Sequence, residues 1–210
     1  MRNLLLAIIL IVLAAAASAA QDEKKQELAV TVGRTFVSDQ TPPNTNFFNN
    51  TVHSGKGLSF DFSYARVLRR YKWGSLSLEV PLLWNPDEDL NYGQNVIPVQ
   101  YSSMFLTPAA RVRFLEGLAF HPWISFGGGV GHFVASKELV FTGVNPGHRI
   151  KTTGALDGAV GFDVPIPKLV WVLFRFEARD NWSGVPPINV DTGKTRQHNL
   201  YVGGGIIFPF

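Results

Sequence analysis

The stretch that decides the fold is the end of the chain, "HNLYVGGGIIFPF", residues 198–210. Its apolar residues share one parity: Leu200, Val202, Ile206, Phe208 and Phe210. A period of two residues is one face of a β-strand. Chain ends usually fray in water. An apolar strand face that continues to the last residue therefore predicts an apolar environment, either a protein core or a lipid.

The first twenty residues have the pattern of an export signal. Arg2 supplies a positive charge, ten apolar residues follow from Leu4 to Leu13, and small residues follow those. This predicts a cleaved signal peptide over 1–20 and one exported barrel domain over 21–210, with an uncleaved membrane anchor as the alternative. The polar stretch "QDEKKQE", residues 21–27, is expected to be a solvated lead-in.

Composition narrows the class of protein. The chain has no cysteine, which excludes disulfides and thiolate metal sites. A net charge of +3 is too small to indicate a nucleic-acid partner. After residue 20, no apolar run approaches the ~20 residues of a transmembrane helix. The 20 glycines and 16 phenylalanines favour an aromatic-rich β protein.

Alternating apolar and polar residues predict eight β-strands. Their expected bounds are 28–36, 57–68, 73–84, 102–114, 119–134, 152–164, 169–180 and 196–210. Most are longer than the ~5–6 residues of soluble strands and reach the ~9–11 residues of transmembrane strands. The connections alternate strictly between long and short, as in "RRYK" after the second strand and "NPDEDLNYGQNVIPVQY" after the third. This rhythm predicts an all-β, eight-stranded antiparallel up-and-down transmembrane β-barrel with both termini in the periplasm.

The chain thus resembles the small eight-stranded outer-membrane β-barrels of Gram-negative bacteria, the OmpA/OmpX/OmpW-like group. The resemblance covers the whole mature chain, and its most specific element is the terminal stretch with its final Phe210; Pro209 departs from the pattern. It implies a place in the cell outer membrane, among outer-membrane lipid and lipopolysaccharide. It also implies that the barrel-assembly machinery reads Leu200, Val202, Ile206, Phe208 and Phe210 as an assembly signal.

The polar face of the strands is expected to point into the lumen. That places five acids and four arginines inside: Asp61, Glu79, Asp157, Asp163, Glu177, Arg111, Arg113, Arg175 and Arg179. Because an unpaired buried charge is costly, these groups predict a salt-bridge network that plugs the lumen. The role expected is structural or one of surface interaction. A narrow channel for small or hydrophobic solutes is the alternative.

Two further classes of function stay open. A soluble lipocalin-like carrier has the same alternation with its apolar face turned inward. A lipid A-modifying hydrolase needs a nucleophile beside a base and an acid; His53-Ser54 is the only adjacent His/Ser pair, and no such cluster lies on one strand. We therefore expect a protein that is not an enzyme and has no cofactor or metal.

Some residues do not fit the simple pattern. Arg34 and Arg66 lie on the apolar parity of the first two strands. Arg66 is near the periplasmic end, where its side chain can reach water. For Arg34, either lipopolysaccharide phosphates are the partner or a bulge at Gly33 changes the register. The long loops, with apolar spots at 47–48 and 140–141, are candidates for binding a surface ligand.

Overall fold

The computed structural model describes residues 25–43, 50–115, 120–166 and 169–210. Ten strands follow in chain order: β1 (Gln26–Val37), β2 (His53–Ser54), β3 (Leu58–Tyr71), β4 (Gly74–Asn91), β5 (Gln100–Leu106), β6 (Ala109–Phe114), β7 (His121–Ala135), β8 (Ile150–Ile166), β9 (Leu169–Gly184) and β10 (Arg196–Pro209). Within these ranges, no helix has the length and hydropathy of a membrane span. The predicted signal peptide over 1–20 and the apolar spot at 47–48 lie outside the described residues.

The long strands close into one antiparallel ring. Each pairs with its neighbours along the chain, and β1 pairs with β10 from Glu27↔Pro209 to Val37↔Asn199. Gln26 and Phe210 complete this seam by exchanging two backbone hydrogen bonds of 3.0 and 2.8 Å. β5 and β6 are two halves of one barrel strand, because both pair with β4 and β7. The predicted eight-stranded up-and-down barrel is confirmed.

The predicted fourth barrel strand, 102–114, is interrupted rather than continuous. β5 ends at Leu106 and β6 begins at Ala109, so Thr107 and Pro108 lie outside both strands. Proline has no backbone N–H to give to a ladder, and here the carbonyl of Pro108 accepts instead from Gly128 N at 3.2 Å. The interruption therefore lies where the sequence places the proline.

Several strand ends also differ from the prediction. β4 continues to Asn91, so residues 85–91 of the predicted loop belong to the strand, and the short β2 pairs with that extension. β1 begins at Gln26, so the last two residues of the expected solvated lead-in lie in the sheet. In each case, pairing with a neighbouring strand extends an element past the point where its alternation of apolar residues ends.

The two faces of the barrel have opposite character. Outward positions carry large apolar side chains with a third or more of their surface exposed, among them Val32, Leu78, Val130, Val160 and Phe174. Exposed aromatics lie at both ends of this belt: Phe36, Trp84 and Trp182 at one end, Tyr71, Trp73 and Trp171 at the other. Inward positions are polar and buried in the half of the barrel near the chain termini, whereas further toward the other end they include buried apolar side chains such as Phe105 and Phe133. A lipocalin-like carrier has a polar outer face, so the apolar belt shows that this alternative is wrong.

Candidate functional site

The structure places all nine predicted lumen charges on inward positions, where they form ion pairs. The half of this ion-pair network that lies nearer the chain termini is centred on Asp163 and Glu79. Asp163 accepts from Arg175 Nε at 2.9 Å and from Arg113 at 2.8 Å. Glu79 Oε1 lies 3.2 Å from Arg111 Nη1 and 3.3 Å from Arg175 Nη1.

Arg179 is the centre of a second group, further from the termini. Its guanidinium lies 2.6 Å from Asp157 and 3.4 Å from Asp61. Longer contacts of 3.6 and 3.8 Å join it to Glu79 and Glu177. All five side chains are almost completely buried. Strands β3, β4, β8 and β9 thus meet at one guanidinium, which ties opposite sides of the barrel together.

Glu27 belongs to this network, although the polar run "QDEKKQE" in which it stands predicts a solvated position. Its carboxylate accepts two hydrogen bonds from Arg113, at 2.7 and 2.9 Å, and one from Arg111. Among the described residues, six acids therefore form ion pairs with the four arginines, rather than the expected five. The alternation of Glu27, Ala29, Thr31 and Thr35 along β1 was the signal that could have identified it.

Neutral polar side chains continue the network toward the extracellular end. Thr31 Oγ1 lies 2.7 Å from Glu177 and 2.8 Å from the hydroxyl of Tyr201, which is completely buried. A Cβ placed on Gly203 would lie 2.0 Å from that hydroxyl, so the ring of Tyr201 occupies the space over this glycine. Gly203, the first glycine of "VGGGI", accordingly makes room for a lumen side chain, and all three glycines lie within β10.

An apolar cluster fills the extracellular half of the lumen. We call it the aromatic plug: Val52, Leu83, Leu90, Tyr92, Ile97, Tyr101, Phe105, Phe133, Ala135, Ala155, Ile188 and Tyr201. Phe105 and Phe133 meet edge to face, with ring centroids 5.7 Å apart. Val52, Ile97 and Ile188 come from the external connections, so these segments fold inward over the barrel mouth.

Hydrogen bonds join the external loops to each other. We call segments 92–99, 136–149 and 185–195 the loop cap. Asn95 Oδ1 accepts from Phe141 N at 3.0 Å, and Asn95 Nδ2 donates to Thr142 O at 2.6 Å. Asn189 Nδ2 donates to Asn145 Oδ1 at 2.7 Å and to Val96 O at 3.1 Å. Three loops are therefore held in one arrangement by two asparagine side chains.

Among the described residues, neither histidine that contacts a carboxylate, His53 or His198, is part of a nucleophile–base–acid cluster. His53 Nδ1 lies 2.7 Å from Asp39, but Ser54 is its chain neighbour on a strand, so the two side chains point to opposite faces. His198 Nδ1 lies 2.6 Å from Asp180, and Ser38 lines the same groove without a hydrogen bond to His198 in the described structure. Among the described residues, no group of three or more His, Asp or Glu side chains could hold a metal ion.

Arg34 and Arg66, the two arginines on the apolar parity of their strands, both point outward. The register of β1 is regular through Gly33, since Gly33↔Gly203 is followed by Arg34↔Val202, so a bulge at Gly33 is excluded. Arg34 is exposed on the same face as Val32 and Phe36. A cation on the lipid face of a barrel costs about 2–4 kcal/mol at the membrane midplane and about 0–1 near the interface. Arg66 is also exposed and lies opposite Gln26, near the end of the barrel where the two chain termini meet.

These features define the class of protein. A closed barrel with charged groups inside and an apolar belt outside satisfies its backbone in lipid and has no strand edge. The chain is a transmembrane β-barrel of the outer-membrane type, and its fold and apolar belt place it in the cell outer membrane.

Comparison with solved structures agrees with this class. Neisserial surface protein A is similar with a TM-score of 0.54 and 12% sequence identity, over 88% of this chain and 97% of that chain. The outer membrane protein OprG from Pseudomonas aeruginosa is similar with a TM-score of 0.50 and 12% identity, over 90% and 98%. No protein-family model matches the sequence, and a search of curated proteins finds no match.

Proposed function

We propose that this protein is a non-catalytic outer-membrane barrel whose lumen is closed and whose loop cap is a surface for interaction with a partner outside the cell. The loop cap is the single observation that carries this proposal. Its asparagine-centred hydrogen bonds hold three loops in a fixed arrangement, and loops on a rigid scaffold are common binding surfaces.

The lumen supports a structural role rather than transport. The ion-pair network fills one half and the aromatic plug fills the other. An eight-stranded barrel is only wide enough for its interior side chains. The two fillings have opposite chemistry, so a polar solute meets an apolar layer and an apolar solute meets a charged layer. This arrangement argues against the narrow channel that the sequence left open.

The loop cap also carries apolar side chains that face solvent. Phe141 is 64% exposed and Val144 is 81% exposed, while Val140 beside them packs against the aromatic plug. Next to them lies a cleft of ≈ 610 Å³ lined by Val96, Leu139, Pro146, His148 and Pro187. Apolar groups on an ordered surface rimmed by polar residues are typical of a protein-binding site.

The test compares loop variants in a binding experiment. The purified protein in nanodiscs is immobilised and offered to whole cells and to a panel of extracellular-matrix proteins. We expect Phe141→Ser combined with Val144→Ser to weaken binding by about tenfold or more, because central apolar residues carry most of an interface's affinity.

A matched control changes Thr142, which lies between Phe141 and Val144 in the sequence. Thr142→Ala leaves the backbone hydrogen bonds to Asn95 intact and should bind like the wild type. All variants must keep the gel mobility shift on heating that marks a folded barrel. If nothing on the panel binds the wild type, or the double variant binds as the wild type does, the proposed surface role fails.

We also propose that the outward residues of β10 act as an assembly signal. Leu200, Val202, Ile206 and Phe208 share the lipid-facing parity, and Phe208 stacks on Trp171 with ring centroids 6.2 Å apart. Phe210 closes the seam with Gln26. A strand that presents an apolar face and forms the last pairing is suited to recognition by the barrel-assembly machinery before the barrel closes.

A further inference from the structure

The first residues of β8 extend beyond the end of its ladder with β9. That ladder begins at Ala155↔Ser183, and β9 ends one residue after Ser183. On its other side, β8 is paired from its first residue, because Ile150 lies opposite Val134 of β7. Among the described residues, no strand or isolated bridge pairs with residues 150–154 on the β9 side. We call residues 150–154 the open edge.

The chain that follows β9 does not continue the sheet along the open edge. Gly184 N donates to the side-chain hydroxyl of Thr153 at 3.2 Å. Prolines follow at 186–187, and a proline has no N–H to give to a ladder. Ile150 is 65% exposed, and a Cβ placed on Gly154 would meet nothing within 4 Å. The open edge is therefore accessible from solvent.

The ladder with β7 shows which backbone groups face the open side. Ala135 N donates to Arg149 O at 2.7 Å, so the odd-numbered residues at this end of β8 bond to β7. Backbone groups alternate between the two sides of a strand, and the N–H and C=O groups of Ile150 and Thr152 therefore point away from β7. An exposed edge of this kind is a template for pairing with another chain.

The surroundings of the open edge are basic. Lys137 and Arg149 lie on the loop that leads to β8 and Lys151 lies on β8, against one acid in the same loop, Glu138. Within the described part of the chain, none of these three cations forms an ion pair. Arg149 Nε donates to Ala135 O at 3.2 Å, which holds its guanidinium near the edge. Charge complementarity therefore favours an acidic partner.

An apolar cleft adjoins the open edge. The cleft of ≈ 610 Å³ in the loop cap is lined by His148, two residues before Ile150, and by Leu139 and Pro146 of the same loop. A strand added to the open edge presents alternate side chains to opposite faces. Such a strand reaches the cleft where it passes Ile150, so the cleft is placed to hold one of its apolar side chains.

We propose that the open edge binds an extended, acidic segment of a partner protein as an added β-strand. The backbone groups of Ile150 and Thr152 form hydrogen bonds with the segment, and the cations attract its carboxylates. The cleft holds one apolar side chain of the segment and adds specificity. This inference rests on the proposed surface role and gives the chemistry of the partner.

The probe is a library of random peptides displayed on phage and offered to the folded protein in nanodiscs. We expect the enriched peptides to be acidic, with β-branched or aromatic residues at alternate positions. One enriched peptide is then synthesised with two copies N-methylated at alternate residues, one copy for each parity. Only the copy whose blocked N–H groups face the edge should bind more weakly, by about tenfold or more, because it loses backbone hydrogen bonds.

Matched variants of the protein locate the site. Thr152→Pro removes an N–H on the open side and leaves the ladder with β7 intact, because proline is tolerated at a sheet edge. Thr152→Ala keeps that N–H, and both variants lose the side-chain contact with His132. We expect about tenfold weaker peptide binding for Thr152→Pro and wild-type binding for Thr152→Ala. Lys151→Glu should also weaken binding, whereas Lys56→Glu, on the opposite side of the barrel, should not.

Four results would overturn the proposal. They are a library that yields no enriched peptide, equal binding by Thr152→Pro and the wild type, equal binding of the two N-methylated copies, and a wild-type dimer in detergent that Thr152→Pro converts to a monomer. The last would mean that a second copy of this chain occupies the edge. If Thr152→Pro does not show the heat-dependent gel shift of a folded barrel, the N-methylated peptides decide with the wild type alone.

The surface role is decided separately. It depends on binding of cells and matrix proteins through Phe141 and Val144, which the peptide library does not measure. Binding on that panel together with a failed peptide experiment would reject the added strand and keep the surface role.

Discussion

Asp163 joins three side chains from three strands of the barrel. Its carboxylate accepts from Arg175 in β9, from Arg113 in β6 and from Trp123 Nε1 in β7, the last at 3.1 Å. The aspartate is completely buried, and so is Arg175. Removing one member of a buried network leaves its partners charged and unpaired. The free-energy cost of those unpaired charges exceeds the net stabilisation that the intact network gave.

We therefore expect Asp163→Ala to lower the free energy of unfolding by about 3–5 kcal/mol. Asp39→Ala, which removes the partner of the half-exposed His53, is the control and should cost about 0–1 kcal/mol. Urea unfolding in detergent micelles, followed by heat-dependent gel mobility, measures both. If the two variants unfold at the same urea concentration, the lumen network does not stabilise the barrel. Should Asp163→Ala fail to fold, Asp163→Asn, which keeps one acceptor oxygen, allows the same comparison.

Residue parity grouped the nine expected lumen charges on one face of the strands, and the structure places that face inside, but parity was not applied to Glu27. That residue stands in a run of charged and polar side chains, and such a run is usually solvated. Its alternation with Ala29 and Thr31 was the one local signal, and its position opposite Pro209 in the closing seam shows that it lies in the sheet. The high density of charged residues therefore led to a wrong prediction of solvent exposure for Glu27, which lies in the seam between β1 and β10.

At the scale of the element, β10 both carries the C-terminal sequence pattern and closes the barrel. β10 pairs with β1 on one side and with β9 on the other. Its final residue contributes two backbone hydrogen bonds to a seam of eleven register pairs, so its thermodynamic share is small. If removal of Phe210 reduces assembly in cells more than it reduces the stability of the barrel, this would indicate that the barrel-assembly machinery recognises Phe210.

We expect a chain that lacks Phe210 to refold in detergent with a urea midpoint close to that of the wild type. In cells, the same chain should reach the outer membrane in a clearly smaller folded fraction. Membrane fractionation combined with heat-dependent gel mobility measures this difference. A Thr142→Ala chain controls for expression. Equal folded fractions for the truncated and full chains would contradict the assembly role.

The division of one predicted strand into β5 and β6 is also an element-scale result. Pro108 was visible in the sequence, yet the alternation on both sides of it continues, so the pattern predicted one strand. The structure keeps both halves between the same two neighbours. A proline interrupts the ladder locally, while the neighbouring strands hold the direction of the chain.

At the scale of the whole molecule, the proposed structural role depends on closure of the lumen. Leu83, Phe105 and Phe133 are 0–1% exposed and come from three different strands. The external connections add Val52, Ile97 and Ile188 from above. The aromatic plug is therefore built by residues far apart in the chain and needs the closed barrel to exist.

Planar-bilayer recordings test this closure. We expect the purified protein to give no discrete conductance steps under conditions where a trimeric porin gives clear ones, because the charged and apolar layers block the lumen in series. Reproducible steps from the wild type would show that the lumen conducts, and the channel alternative would then replace the structural role.

The sequence by itself determined that eight strands build the barrel, the order of long and short connections, and which side chains of a strand share a face. These follow from a period of two residues and from turn composition, both of which are local. The tertiary structure alone decided which way the polar face points, that Glu27 joins the network, that distant residues form the aromatic plug and that asparagines link the loops. The physical reason is that these features depend on contacts between residues far apart in sequence, which exist only after β1 and β10 have paired.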